Sequence, residues 1–416
     1  MLHQLTIKNF KSFRNEVTLD LTATALKELP ADVVVDVLHE RVLKLAALYG
    51  ANASGKTTVI RALSLMRALV RRSFVSEQYQ RRVTPYWFSD DQTPTEFSVL
   101  FSTETNIFQY GFGYLKGVVT SEFLYQRDKS KVEERYLNIL DRTADTVTGI
   151  LMENAAVQAI SPAIGKGSLF LSALANLNIP IVREVSDWFE HLAIKDYGNP
   201  RTESIKLRSF TGRASSRMIQ LLRDPKEKAA FENFSHAIDV GIEELGVIKR
   251  DLPEVEDERF QVVTFHRDPR TDKLKQTSIS DESSGTRKML MLYVDLKQVL
   301  DTGGTLLVDE LDAKLHPLLL RYVLLIFHNT STNPHGAQLI FTTQELYTLD
   351  RSNFRRDEIW FVDKNQDGVS DLYSLDTIVE PSGKKVRNDA SYGKDYILGK
   401  YRAVPALKPI NDGQND

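Results

Sequence analysis

Hydrophobic and polar residues alternate near the start of the chain, over residues 4–10 and 16–21, with the period of two that is typical of half-buried strands. A continuous apolar run over residues 42–49 predicts a buried strand, and it ends at Gly50, which predicts a loop. From residue 56 to about residue 72 the apolar positions follow helical spacing. Strand, glycine loop and helix therefore follow each other in the order that phosphate binding requires.

The middle of the chain changes from strand patterns to helical ones. Strands rich in Phe, Tyr and Val are predicted at residues 95–102, 107–115 and 120–127. Residues 150–249 have helical patterns, in short helices that proline interrupts. They lack the three or four heptads that a long coiled coil needs, which argues against extended coiled-coil arms.

Strands and helices alternate after residue 255, which predicts an α/β sheet. The predicted strands are 259–265, 273–279, 305–308 and 338–341, the predicted helices are 284–301 and 316–329, and a hairpin is predicted from 358–363 and 369–374. Residues 363–368 resemble the start of a calcium loop, but the required twelfth-position Glu is replaced by Ser374, so we interpret them as a hairpin turn. Residues 411–416 have the composition of a disordered tail.

The composition narrows the class of protein. Of the 416 residues, 42% are hydrophobic and 26% charged, as in ordinary soluble globular proteins, and the length allows for two or so domains. The absence of cysteine excludes disulfides, thiolate–zinc sites, iron–sulfur clusters and cysteine nucleophiles. The sequence has neither an apolar leader nor a run near the about 20 apolar residues of a membrane span, so we expect a cytoplasmic protein.

The charge balance bears on nucleic-acid binding. The net charge of −3 argues against a dedicated nucleic-acid binder, because such domains usually carry a strong basic excess. The 53 Lys and Arg residues still leave room for a local basic groove. Basic clusters at residues 71–72, 81–82 and 384–387 lack regular aromatic interleaving, which favours a solvated face over a nucleic-acid site.

The glycine loop is residues 50–57, with the sequence GANASGKT, and is called the phosphate loop below. Its glycines allow backbone N–H groups to turn inward around phosphate oxygens. Lys56 is placed to reach the β- and γ-phosphates, and the Thr57 hydroxyl is a ligand for Mg²⁺. The helix that begins here adds its positive N-terminal end.

Two further motifs carry candidate chemistry. Residues 305–310 form an apolar strand that ends in Asp309, suited to hold Mg²⁺ through water, and Glu310, suited to polarise the attacking water. Such strand ends are common, but this one lies about 250 residues after a phosphate loop, which favours the functional interpretation. Residues 282–286 (ESSGT), called the signature segment below, combine a Ser hydroxyl, a Gly amide and a helix start into a second anion site. The alternative is that this segment is a plain helix cap. Because the chain already has one phosphate loop, a second anion site would make most sense if it closed over the nucleotide bound to another copy.

These motifs make the sequence resemble the ABC-type ATPases of the SMC and OLD-like kind. The shared stretches, in order, are NFKSF at 9–13, the phosphate loop, the signature segment, VDELDAKLHP at 308–317 and the threonine pair at 342–343 that precedes the switch position. More narrowly, the stretches 355–362 and 396–405 resemble the compact, stand-alone ATPases of bacterial phage-defence loci, such as those of abortive-infection and RloA/RloB-type pairs. The resemblance covers nearly the whole chain.

The resemblance implies an α/β fold, an ABC-type P-loop NTPase head in which antiparallel strands and a helical insertion accompany a mixed central sheet. It divides the chain into the N-terminal half of the head (1–149), the insertion or lid (150–249), the C-terminal half (250–375) and a tail (376–416). It implies a homodimer or higher even oligomer, with ATP and Mg²⁺ held between heads.

Site residues follow from the resemblance position by position. ATP and Mg²⁺ would be bound by Gly50, Asn52, Ser54, Gly55, Lys56, Thr57 and Thr58, with Lys11 and Ser12 near the nucleotide. Asp309 and Glu310 would be the metal-binding and water-activating pair, Ser283 and Gly285 would contact the partner's γ-phosphate, and residues 312–316, ending at His316, would form the D-loop. Gln92 is a candidate Q-loop residue, although an exposed turn is favoured.

One position departs from the family. Relatives usually carry a histidine after the strand 338–341, whereas this chain has Gln344. A glutamine amide donates a hydrogen bond but neither becomes a cation nor shuttles a proton. We therefore expect slow turnover, with ATP binding rather than hydrolysis setting the working state.

The function implied is an ATPase that acts as sensor or scaffold in antiphage defence, coupled to a separately encoded nuclease or toxin. The insertion and the tail would be the surfaces that such a partner contacts. The alternatives are an SMC-like ATPase that repairs or organises DNA directly, and a passive module in which ATP only stabilises an assembly. The lack of coiled-coil arms and the acidic net charge argue against direct action on DNA.

Overall fold

The structure, a computed structural model, describes residues 1–29, 33–128, 135–199, 211–212, 216–238, 241–250, 259–380 and 383–405. The described α-helices are α1 (Lys56–Arg72), α2 (Ala155–Ile160), α3 (Phe170–Leu174), α4 (Pro180–His191), α5 (Arg217–Arg223), α6 (Pro225–Ile238), α7 (Ser284–Thr302), α8 (Pro317–His328) and α9 (Tyr392–Ile397). Short 3-10 turns lie at Glu77–Arg82, Ile150–Glu153, Ser161–Ala163, Ile279–Asp281, Arg356–Glu358 and Leu375–Thr377. None of the helices in these ranges is long and apolar enough to cross a membrane.

The strands of the N-terminal half are β1 (Leu2–Lys8), β2 (Val17–Asp20), β3 (Val34–Val37), β4 (Glu40–Leu43), β5 (Leu45–Tyr49), β6 (Thr95–Ser102), β7 (Ile107–Leu115), β8 (Val118–Arg127), β9 (Tyr136–Thr143) and β10 (Val147–Thr148). Those that follow are β11 (Ala193–Asp196), β12 (Thr211–Gly212), β13 (Glu244–Arg250), β14 (Arg259–Arg267), β15 (Leu274–Ser278), β16 (Thr305–Asp309), β17 (Gln338–Thr342), β18 (Ile359–Lys364) and β19 (Ser370–Ser374).

The central sheet has the order β11-β16-β17-β5-β18-β19, parallel throughout except for the β18–β19 hairpin. Every residue of β5, β16 and β17 is buried. Successive residues of a strand point to opposite faces, so Ala46 and Leu48 of β5 enter one hydrophobic core while Leu45 and Ala47 enter the other. A parallel sheet covered on both faces is the expected α/β architecture, so that prediction is confirmed.

An antiparallel sheet of seven strands, in the order β10-β9-β8-β7-β6-β1-β2, packs over one face of the central sheet. Helix α1 lies between the two sheets, because Val59, Leu63 and Met66 share one core with residues of both. The other face of the central sheet is covered by α5 to α8. A small sheet pairs β14 with β12, β13 and β15, and β3 pairs with β4.

Most elements match their predictions, and α1 has the predicted bounds. The helical prediction for 150–249 is wrong at residues 193–196, which form β11 and pair in parallel with β16 at the edge of the central sheet. It is also wrong at β13. The single strand predicted at 42–49 is divided at Lys44, a buried residue whose Nζ donates a hydrogen bond to the carbonyl of His328 over 3.3 Å.

The turn between β18 and β19 is a hairpin turn, as predicted. The Asn365 carboxamide oxygen accepts a hydrogen bond from the Val369 N–H over 2.9 Å.

The C-terminal tail packs against the phosphate loop: the Ala403 carbonyl accepts a hydrogen bond from the N–H of Ala51 over 3.0 Å, and Tyr401 is buried. Residues 411–416 lie outside the described residues.

Candidate nucleotide site

The phosphate loop requires glycine at two positions. Gly50 has φ of 149° and Gly55 has φ of 119°, values that other residues rarely adopt. A Cβ atom at Gly50 would lie 2.2 Å from the carbonyl oxygen of Val362 in β18. A Cβ atom at Gly55 would lie 2.8 Å from the hydroxyls of Ser12 and Ser370. The loop is therefore packed tightly between the end of β1 and the β18–β19 hairpin.

Lys56 is buried at the base of this loop. Its Nζ donates hydrogen bonds to the carbonyls of Gly50, over 2.6 Å, and Ala51, over 3.0 Å. Burial lowers the pKa of the Lys56 ammonium, and the carboxylates of Asp312, Asp309 and Glu310 act in the opposite direction. An anion bound in the loop would restore the charge stabilisation that burial removes.

Two buried hydroxyl groups without hydrogen-bond partners indicate that the loop could bind phosphate oxygens. Among the described residues, the buried Oγ atoms of Ser12 and Ser54 have no hydrogen-bond partner. Lys11 lines the same cavity, and its pKa is lowered by burial and by the nearby charge of Arg61. Two free hydroxyls beside converging cations fit phosphate oxygens well.

Oxygen ligands suited to Mg²⁺ lie next to the loop. The Thr57 Oγ1 is 3.2 Å from Oδ1 of Asp309, the last residue of β16. The same carboxylate oxygen accepts a hydrogen bond from Thr342 Oγ1 over 2.6 Å, which fixes its orientation. Hard oxygen donors of this kind are the ligands that Mg²⁺ takes in proteins, so Thr57 and Asp309 fit the predicted metal site.

Glu310 begins the turn after β16 with φ of 53°. Its N–H donates a hydrogen bond to Thr342 Oγ1 over 2.8 Å, so one threonine positions both acidic residues. Burial raises the pKa of the Glu310 carboxyl, and the charges of Asp309 and Asp196 raise it further. A carboxylate with a raised pKa is a better proton acceptor, as a water-activating base requires.

Gly198, just beyond β11, is in contact with this carboxylate. A Cβ atom at Gly198 would lie 1.9 Å from Oε2 of Glu310. The sequence-based interpretation missed Gly198 because it assigned residues 150–249 to helices. The register of β11, in which Asp196 pairs with Asp309, carries the chain to this point.

Gly198→Ala is expected to lower the ATP turnover rate about 100-fold, because the new methyl group displaces the Glu310 carboxylate and a displacement of about 1 Å can have that effect. Stability should change little, since the displaced atoms are the end of a flexible side chain. Steady-state phosphate release and thermal unfolding measure the two quantities. Gly165→Ala is the matched control, because its Cβ would meet only Ser168 Oγ at 3.7 Å. Equal rates for the two variants would contradict this role of Gly198.

The signature segment and the D-loop form one unit. Ser283 caps α7, and its Oγ accepts a hydrogen bond from the Thr286 N–H over 3.0 Å. Lys288, buried on α7, donates from Nζ to the carbonyls of Leu311, over 2.7 Å, and Ala313, over 2.5 Å. Because these carbonyls lie at the start of the D-loop, one ammonium group joins the signature helix to the end of β16.

Most of the predicted site residues line one of two separate cavities, and Gly50 and Asp309 line neither. The first, the phosphate-loop cavity, has a volume of about 560 Å³ and is lined by residues 52–58 with Lys11, Ser12, Arg61, Thr84, Tyr86, Trp87, Phe88, Glu310, Thr342, Gln344, Lys364 and Gly368. The second, the signature cavity, has a volume of about 510 Å³ and is lined by Ser283, Gly285, Thr286, Met289, Lys314, His316, Leu319, Ala237 and Ile238. The two linings share no residue. A single copy thus keeps the signature segment and His316 apart from its own phosphate loop.

Of the two glutamines singled out in the sequence, only Gln344 lies at the phosphate-loop cavity. The N–H of Gln344 donates a hydrogen bond to Asp312 Oδ2 over 3.0 Å, and its side chain lines the phosphate-loop cavity. Gln92 does not line that cavity; it lies in an exposed turn, where its N–H donates to Asp90 Oδ1 over 2.9 Å. The favoured interpretation of Gln92 as an exposed turn residue is therefore confirmed. Trp87 and Phe88 were missed, since no local motif marks them.

A strand, a lysine-bearing glycine loop, a helix and an acidic strand end place this protein among the P-loop nucleoside triphosphatases. The family model described as "AAA domain, putative AbiEii toxin, Type IV TA system" (AAA_21) matches residues 45–350. The chain belongs to this family of AAA-type ATPase domains. No curated protein matches it.

Solved structures of SMC heads are similar in overall arrangement. The SMC head domain from Thermotoga maritima has 12% sequence identity and a TM-score of 0.40, with 90% of this chain and 98% of that one covered. An Smc head with an extended coiled coil, bound to the C-terminal domain of ScpA and derived from Pyrococcus furiosus, has 13% identity and a TM-score of 0.38, with 90% and 96% covered. The family assignment rests on the sequence match.

Proposed function

We propose that this protein is a Mg²⁺-dependent ATPase whose two catalytic sites are completed only when two copies meet head to head. The observation that carries the proposal is the separation of the phosphate-loop cavity from the signature cavity, which share no lining residue. Both cavities are open at the surface of one copy. The first contains the phosphate loop and Glu310, and the second contains the signature segment and His316. A two-fold dimer that brings one cavity against the other completes both sites at once.

Each residue then has a definite task. Lys56, the loop N–H groups and the free Ser54 hydroxyl bind the phosphates. Thr57 and Asp309 would hold Mg²⁺, and a bound Mg²⁺ would neutralise charge on the phosphates. Glu310 accepts a proton from the attacking water. Ser283 and Gly285 of the second copy bind the γ-phosphate from the opposite side.

ATP bound between the heads stabilises only the closed dimer, so it shifts the population towards that state. Gln344 supplies a neutral hydrogen-bond donor where a histidine would supply a cation, and turnover is slow as a result. The lifetime of the closed dimer is the output of such a switch. The description of the matching family mentions a toxin system. We propose that a separately encoded toxin or nuclease binds the closed dimer in antiphage defence.

A mixing experiment tests the composite site. Lys56→Ala removes the phosphate-binding cation and Ser283→Arg blocks the signature cavity, so each variant alone should be inactive. An equimolar mixture should regain about a quarter to a half of wild-type ATPase activity, because only mixed dimers contain an intact site, one of their two, and they make up at least half of the dimers. Phosphate release measures the rate, and light scattering with and without Mg-ATP measures the mass.

The matched control is a mixture of Lys56→Ala with the double variant Lys56→Ala/Ser283→Arg, which contains no intact site and should stay inactive. No recovery in the test mixture, or a Ser283→Arg variant that is fully active alone, would contradict the proposal. A mass that does not respond to Mg-ATP would contradict the switch.

A further inference from the structure

Two large aromatic side chains are exposed at the phosphate-loop cavity. Trp87 is 85% exposed and Phe88 is 79% exposed, and both line the cavity. The other tryptophans are covered: Trp360 is buried, and Trp188 stacks on Phe101 with ring centroids 4.0 Å apart. Adjacent exposed aromatic rings at the mouth of a cavity commonly mark a binding surface.

The aromatic pair stands on a fixed support. The Tyr86 N–H donates a hydrogen bond to Asn9 Oδ1 over 3.1 Å, and its O–H donates to the carbonyl of Asp367 over 3.0 Å. The ring of Phe88 packs edge-on against Tyr86, with centroids 5.8 Å apart. The segment is thus tied both to the end of β1 and to the β18–β19 turn, so its backbone and the Phe88 ring are held in place before any ligand arrives.

Sheet topology decides which part of a nucleotide these rings meet. The strand order is β16-β17-β5-β18-β19, and the phosphate loop follows β5 in the middle. Glu310 and Gln344 follow β16 and β17 on one side of the loop. The support of Trp87 is attached to the β18–β19 turn on the other side. With the γ-phosphate towards Glu310, the nucleoside end extends towards Trp87 and Phe88.

We propose that Trp87 and Phe88 form the nucleobase subsite, where the base of the bound nucleoside triphosphate stacks on their rings. This inference rests on the proposed ATPase function. The two side-chain hydroxyls of the supporting segment are already paired: Tyr86 O–H donates to the carbonyl of Asp367, and Thr84 Oγ1 donates to the Arg82 carbonyl over 3.2 Å. The subsite therefore recognises the flat face of a base rather than its edge. Purines stack over a larger area than pyrimidines, so ATP and GTP bind within a few-fold of each other and more tightly than CTP or UTP.

The test compares ATP with inorganic tripolyphosphate, which carries the phosphates without a base, each with Mg²⁺. Trp87→Ala should weaken ATP binding about 10- to 100-fold, in line with the usual value of base–aromatic stacking, and leave tripolyphosphate binding unchanged. In the wild type, ATP should quench the emission of the exposed Trp87 and tripolyphosphate should not. Trp188→Phe is the control and should keep the quenching.

A second copy could also cover Trp87 on dimer formation, and the Ser283→Arg variant separates the two explanations. Quenching by ATP that persists in this dimerisation-blocked variant supports base stacking; its loss overturns the nucleobase subsite. Equal ATP affinity of wild type and Trp87→Ala also overturns the subsite alone. If the wild type binds neither ATP nor tripolyphosphate, the proposed ATPase function fails instead.

Discussion

Glu310→Gln should lower steady-state ATP hydrolysis about 10²- to 10⁴-fold while the ATP-bound dimer persists. The amide keeps the size of the carboxylate but accepts no proton from water, and general-base catalysis commonly contributes that factor. The backbone of Glu310 is held by Thr342 and remains in place after the change. Phosphate release gives the rate, and light scattering after rapid removal of free ATP gives the lifetime of the dimer.

Glu190→Gln provides the control for this variant. Glu190 is an exposed residue on α4 whose carboxylate pairs with Arg71 over 3.0 Å, away from the phosphate-loop cavity. It should leave both the rate and the lifetime unchanged. If Glu310→Gln hydrolysed ATP at the wild-type rate, Glu310 would take no part in catalysis. Assembly that is normal but independent of ATP would favour a passive scaffold.

Arg355→Met should destabilise the fold by about 3–5 kcal/mol, the usual effect of removing one partner of a buried ion pair. The buried guanidinium donates to Asp357 Oδ1 over 2.9 Å and to Asp357 Oδ2 over 2.8 Å. It also donates to the carbonyls of Leu26, over 3.1 Å, and Thr24, over 3.2 Å. Without it, the Asp357 carboxylate stays buried and has no other ion-pair partner among the described residues. The urea dependence of unfolding measures the loss in stability.

Arg387→Met is the matched comparison. Arg387 pairs with Asp389 over 2.6 Å, but both side chains are exposed. Exposed pairs contribute about 0–1 kcal/mol, so the unfolding midpoint should hardly move. Similar midpoints for the two variants would show that the Arg355 network contributes little to the stability of the fold.

Local motifs were sufficient to predict the part of the site that follows β5. The phosphate loop and α1 are continuous in sequence, and the backbone at Gly50 and Gly55 allows few other residues. The acidic end of β16 was predictable only together with the phosphate loop, because apolar strands that end in carboxylates are common. The buried Thr342 that orients both carboxylates belongs to the next strand and could not be assigned from the sequence.

The rest of the site depends on pairing between distant segments. β11 has only four residues, all partly exposed, so its sequence shows no alternation, yet it brings Gly198 against Glu310. Trp87 is placed by hydrogen bonds from Tyr86 to residues 77 positions earlier and 281 positions later. No spacing rule covers such contacts. Aromatic residues also predict burial by default, which concealed the exposed pair.

Lys288 has a consequence for how two active sites would fire. In each copy, Lys288 joins the signature helix, which contacts the neighbouring copy in the proposed dimer, to carbonyls that follow Glu310 of the same copy. In the proposed dimer, contact at one interface would therefore be linked through Lys288 to the catalytic base at the other, and such a linkage is reciprocal. ATP binding at the two sites would then be coupled, although a dimer with one intact site would still hydrolyse ATP at that site.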